Sequence, residues 1–356
     1  MRQMEPNCEL QPSENLELGR NKHSILLDRE HSSIEQVRDA IIKVMDRDVK
    51  AVDLKFTLYK AACDKLLPKN QLDPCPPIFT TSDPMEARKI MLHYNELLPG
   101  MPFLRHYLRH PDKFEMPIEV FEIIMWLVLD LQEPDIKSVQ PRYYSNIINM
   151  VAPGNNLKAP SIIFNLTFSK TSNYEFHWHR KSFQKWTKYG FYPCNMEDLH
   201  SMIYKDLIVT TNLKSQFKWN TQKVTLYTNL SYCLNKAPQS WTWGKSLIGT
   251  NIKSICIVEF IDHPGYAKKV IVSKKIKSDT GSQDIELKNY EIIHPEYARI
   301  KYILLYVYNS QTLSNQPKYR WWEGEKQFLV ACTLALAFLA GCTVGRLLRG
   351  KFSSST

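Results

Sequence analysis

Glycine is scarce in this chain: 12 of 356 residues, and none between Gly190 and Gly244. That stretch therefore lacks the residue that most readily lets backbone approach a dinucleotide. Paired cysteines are missing as well. The eight cysteines (Cys8, Cys63, Cys75, Cys194, Cys233, Cys256, Cys332 and Cys342) form no CxxC spacing, which excludes a zinc-ribbon site and a disulfide framework and fits a reducing compartment. No GxSxG elbow is present, so a serine hydrolase of that type is excluded. Gly244-Lys245-Ser246 has the end of a phosphate loop without its earlier glycine. His177-Trp178-His179 could begin a metal site, but no third ligand is positioned by spacing; the segment reads as an aromatic strand edge, and no metal is expected. The net charge of +10 comes with no nucleic-acid motif, so acidic lipid is the simpler partner and no nucleic acid is expected. Met1 to Asn21 is polar and lacks the apolar core of a secretory signal.

What is present is one long apolar run, Phe328 to Val344, with no charge and no proline. At ~1.5 Å per residue it spans roughly 25 Å as a helix, close to the ~27 Å hydrocarbon layer of the endoplasmic reticulum. Trp321 and Trp322 precede it and Arg346, Arg349 and Lys351 follow it, the flanks of a membrane span. Residues 327–345 are expected to be a C-terminal tail anchor, with a linker at 313–326, a short tail at 346–356 and a body facing the cytosol. The acceptor patterns at Asn165 and Asn229 would then carry no sugar.

Residues 1–32 are polar and unpatterned and read as disordered. Residues 33–150 read as an all-helical domain. A helix starts at Ser33; Val49, Val52, Phe56, Tyr59 and Cys63 line one side of the next; another follows Asp83-Pro84; and IEVFEIIMWLVLDL makes a buried one. At Val151 the texture changes: SIIFNLTF, KVTLYTNL, SICIVEFI and IKYILLYVY read as strands, with a helix at Met196 to Tyr204 and an exposed hairpin or loop at 267–283. The expectation is an α+β chain, helical first and strand-rich after.

The order of pieces in the second half, from GFYPCNMEDLHSMI through KVTLYTNLSYCL and SWTWGKSLIGTNIKSICIVEFIDHP to NYEII and RIKYILLYVY, closely resembles the catalytic domain of the poly(ADP-ribose) polymerase family. Within the family it is most similar to the tail-anchored mono-ADP-ribosyltransferase of the endoplasmic reticulum, which also has an N-terminal helical domain. DLKFTLYKAACDKLLPKNQLDPCPP at 53–77 looks like that domain's first helices. The resemblance implies a split antiparallel ADP-ribosyltransferase domain over 151–312, NAD as substrate, a protein side chain as acceptor, and the reticulum membrane, continuous with the nuclear envelope, as location. Span physics alone leaves the mitochondrial outer membrane open.

In the family a histidine bonds the ribose, the next glycine bonds the nicotinamide amide, a tyrosine stacks on the ring, and a third residue tunes the reaction. Here the histidine position is Tyr192 and the glycine position is Pro193, which has no N–H to donate. The stacking position is Thr225, with Tyr227 two residues on and pointing to the same strand face. The third position is Tyr290, as in the single-transfer relative. The resemblance thus implies either a transferase with weakened or lost activity or a non-catalytic membrane-tethered binding or regulatory module. His200, on the helix after the motif, reads as packing or a cap.

Overall fold

The computed structural model describes residues 33–65, 72–79, 83–153, 158–204, 224–278 and 281–308. The expected disordered terminus and tail anchor lie outside these residues; among those described, no helix is long and apolar enough to cross a membrane.

Helix α1 (Ile34–Arg47) starts on a full capping box: the Ser33 hydroxyl accepts from the Gln36 N–H, and the Gln36 side chain answers to the Ser33 N–H. α2 (Val49–Lys65) follows after one residue, then α3 (Pro84–Leu97), capped by the Asp83 carboxylate. α4 (Met101–Arg109) and α5 (Ile118–Met125) complete the bundle, and α5 runs on through a π turn at Trp126–Asp130. The sequence reading places one side of α2 in the core. In the structure both sides are buried: Val52, Phe56, Tyr59 and Cys63 pack into the helical bundle, while Ala51, Leu54, Leu58 and Ala61 pack against the sheet. α2 is the wall that the two cores share.

The strands form one antiparallel sheet: β1 (Asp135–Ser138), β2 (Ile162–Thr167), β3 (Thr187–Cys194), β4 (Val224–Tyr227), β5 (Gln239–Trp241), β6 (Asn251–Ile261), β7 (Ala267–Ser278), β8 (Gly281–Ile292) and β9 (Ala298–Val307). Their order is β1-β2-β9-β6-β3-β4-β8-β7, with β5 pairing β6. The α+β reading holds. β1 lies inside the segment read as all-helical, because four residues of mixed polarity carry too little periodicity to announce a strand. The basic segment at 267–283 is the β7–β8 hairpin.

One face of the sheet is covered by α2 and α8 (Met196–Tyr204). The other is covered by α6 (Tyr144–Asn149) and α9 (Leu230–Lys236). His177, Trp178 and His179 sit on a helix, α7 (Asn173–Ser182), and not on a strand edge: the Ser172 hydroxyl caps it, and only Trp178 turns inward. Trp178 lies 4.4 Å over the Arg299 guanidinium. Arg299 itself is buried and bridges Glu259 and Glu175, both at 2.7 Å.

In the Gly244-Lys245-Ser246 segment the lysine and the serine are both engaged by the protein itself. The segment is a plug in the helical bundle. Trp243 is buried there and stacks on Phe56 at 6.0 Å. Lys245 donates to the carbonyls of Glu96 and Leu98 at the end of α3. The buried Asp53 carboxylate of α2 accepts from the N–H groups of Leu247 (2.6 Å) and Ile248 (3.0 Å) and from the Ser246 hydroxyl (3.0 Å).

Candidate active site

The sheet has a seam. β3 pairs with β6 along its whole length, from Thr187↔Ile261 to Cys194↔Ser254. With β4 on its other side it shares a single pair, Phe191↔Tyr227. β4 in turn pairs fully with β8, Val224↔Ile292 to Tyr227↔Asn289. Among the described residues one backbone pair therefore joins two well-knit halves. Gly190 allows the touch: a Cβ there would stand 2.7 Å from the Leu226 Cβ. Pro193 marks where it ends. A proline has no ladder donor and is tolerated in a sheet only where its nitrogen faces no partner strand. The β6 side is paired at Pro193↔Ile255, so the nitrogen faces the β4 side.

The five residues expected from the sequence all lie along this seam, half-buried, on β3 (Tyr192, Pro193), β4 (Thr225, Tyr227) and β8 (Tyr290). The structure divides them between faces. Tyr192 and Tyr290 pack with the core under α2 and α8. Thr225 and Tyr227 alternate with the buried Val224 and Leu226 of that core, so they face the α9 side. Tyr227 packs there against Tyr232, ring centroids 5.3 Å apart.

Tyr192 stands across from Cys256, beneath which Cys194 and Cys256 approach to 3.5 Å as free thiols. Burial pushes its hydroxyl well above the ordinary tyrosine range, and the neighbouring Cys194, Cys256, Asp198 and Tyr227 add to that. It is a neutral phenol that can donate or accept one hydrogen bond. Burial, and the neighbouring Tyr232 and Cys233, likewise raise the Tyr227 hydroxyl.

Tyr290 is framed by residues that the sequence reading did not single out. Phe260 lies 4.9 Å from its ring, tilted. The Lys188 ammonium stands 5.5 Å from the ring centroid and is held by Asp262 at 2.7 Å. That hydrogen bond to Asp262, and after it Tyr290, keep Lys188 firmly protonated. A signal existed: Lys188, Gly190 and Tyr192 are alternate residues of one strand and share a face. Only the register of β3 with β4 and β8 reveals what they meet.

His200, two residues beyond Asp198 on α8, is wholly buried among Tyr59, Trp126 and Tyr204, and its Nε2 donates to the Pro74 carbonyl at 3.0 Å. It packs and ties a loop down, as the sequence suggested. A cavity of about 170 Å³ opens elsewhere, beside Phe168, Met202, Tyr204 and Arg299, and includes none of the five seam residues. Among the described residues no cluster of three or more metal-ligating side chains occurs.

The seam thus offers hydroxyls, one aromatic face and one cation, but no carboxylate at the third position and no backbone donor at Pro193. No family model matches the chain. It is similar to Protein mono-ADP-ribosyltransferase PARP16 of Mus musculus, 24% identical over 279 residues, which cover 76% of this chain and 83% of that protein. That likeness, the motif segments and the antiparallel sheet they build make this chain similar to the poly(ADP-ribose) polymerase family and, within it, to a mono-ADP-ribosyltransferase.

Proposed function

We propose that the chain is an ADP-ribosyltransferase-type protein that takes NAD at the β3–β4 seam, transfers ADP-ribose to a protein side chain, and does so with a weakened grip on its nucleotide. The observation that carries this is the position of Pro193 at the point where the seam opens, in the place where the family has a glycine amide. In this reading nicotinamide enters between the strands. The glycosidic bond breaks through a cation-like state that needs orientation and electrostatics more than a covalent partner. Tyr192 carries its hydroxyl farther out than an imidazole nitrogen, so the family's ribose bond is not remade in place. Tyr290 presents its hydroxyl at the third position, with the Asp262-bound Lys188 ammonium over its ring. Two family contacts are unmet, the histidine bond and the glycine amide. At ~1–3 kcal/mol for each, the deficit is roughly 2–6 kcal/mol, or about thirtyfold to ten-thousandfold in affinity.

The second reading, a membrane-tethered binding or regulatory module with no transfer, is supported by the Tyr227 ring, which packs on Tyr232 and leaves Thr225 at the stacking position. In both readings the 328–344 run holds the body on the cytosolic face of the endoplasmic reticulum and the adjoining nuclear envelope. Calorimetric titration with NAD of the natural chain and of Tyr192→His/Pro193→Gly/Thr225→Tyr tests the proposal. The restored chain is expected to bind at least about thirtyfold more tightly. A folded triple variant with unchanged affinity defeats it.

A further inference from the structure

We infer that the turn from α7 into β3, Phe176 to Trp186, is a docking surface for an anionic lipid bilayer. Three large rings stand out from it: Phe176 is 63% exposed, Phe183 70% and Trp186 83%. Phe176, Arg180 and Phe183 recur at i, i+4 and i+7, one stripe along α7, while Trp178 faces the sheet. The turn is built to present them. Gln184, between Phe183 and Lys185, is held at φ 56°, a left-handed conformation that a residue with a Cβ seldom takes. The Trp186 carbonyl accepts from the Asp262 N–H at 2.8 Å, so the backbone is pinned to the sheet while the ring projects.

Charge supplies the second line of argument. Arg180 and Lys185 are exposed and Lys181 is half-buried. Among the described residues none of the three meets a carboxylate: Lys181 donates to the Glu296 carbonyl and Lys185 to the Lys181 carbonyl. The one acid of the helix, Glu175, is turned inward to Arg299. Exposed rings with cations between them match the headgroup layer of an acidic bilayer. The tether reaches. About 33 Å of β9 separates the α7 end of the sheet from the exit of the chain, and the 20 residues from 308 to 327 extend to about 65 Å.

The inference rests on the proposed span only for bringing the surface near a membrane. Hydrogen exchange of the full chain, with vesicles of phosphatidylcholine alone or containing phosphatidylserine, tests it. Amides 173–188 are expected to exchange at least about fivefold more slowly on the anionic vesicles. Phe183→Ser/Trp186→Ser abolishes the slowing while the chain still floats with the vesicles. Arg180→Ser/Lys185→Ser reduces it, each cation contributing about fivefold in partitioning. Leu336→Arg, which charges the apolar run, releases the chain from neutral vesicles but keeps the slowing on anionic ones, separating the surface from the tether. Equal exchange on both vesicles overturns the inference. So does slowing by an RNA oligonucleotide or an acidic peptide with none from phosphatidylserine.

Discussion

Two buried groups titrate across the same pH window with opposite consequences. Asp53 is sealed between α2 and the 246–248 loop, and burial pushes its carboxyl up to about 6 against the pull of Ser246, Leu247, Ile248 and Thr57. His200 is sealed on the inner side of α8, and burial lowers its imidazole to about 4 against the Pro74 carbonyl. In the unfolded chain these groups return to ~3.9 and ~6.5. Between about pH 4 and 6, folded Asp53 holds a proton that the unfolded chain has released, so its stabilisation is full below about 4 and is lost as pH rises through 6. His200 does the reverse: its stabilisation is full above about 6.5 and is lost as pH falls through 4. Each displacement is about two units, roughly 3 kcal/mol at ~1.4 kcal/mol per unit. The two slopes largely cancel in the natural chain.

Asp53→Asn keeps a side-chain acceptor for the Leu247 and Ile248 amides and removes one slope. Its stability, relative to the natural chain, is expected to rise by roughly 3 kcal/mol from pH 4 to pH 7. His200→Gln should fall by a similar amount over the same range. Urea unfolding followed by tryptophan fluorescence at a series of pH values measures this, and taking each variant against the natural chain removes the carboxylates common to both. Parallel curves for the natural chain and Asp53→Asn would refute the reasoning.

Trp243→Ala empties the plug that stacks on Phe56 and should destabilise the chain by about 3–5 kcal/mol in the same assay. Arg299→Met leaves the buried Glu259 and the half-buried Glu175 without their shared counter-charge, so a loss of about 3–5 kcal/mol is expected in the same assay; a loss no larger than that of an exposed arginine would contradict the ion-pair account.

Helix starts were legible because their chemistry is local: Ser33 with Gln36, and Asp83 before Pro84, are cap signatures that no tertiary contact needs to rescue. Met196–Tyr204 was equally plain. α2 was half legible. Its helical period is visible, but a helix buried on two sides offers no clean stripe, and nothing local says which side meets which core. α7 misled because HWH is aromatic and β-branched residues are not needed to make an edge look like a strand. The five seam positions could be named from the resemblance. Their division between two faces could not, since it follows from the Phe191↔Tyr227 and Leu226↔Tyr290 registers, which join residues dozens of positions apart. Lys188 over Tyr290 was hidden for the same reason.

The shared wall formed by α2 has a bearing on ancestry. A helix whose two sides serve two cores cannot be exchanged piecemeal: a crossover placed after residue 150 would bare Leu226, Phe164 and Met196 on one fragment and Leu54 and Leu58 on the other. Recombination would break such a protein where it would spare one with separable modules, so the helical and strand-rich halves are bound to be inherited, and to drift, as a single unit.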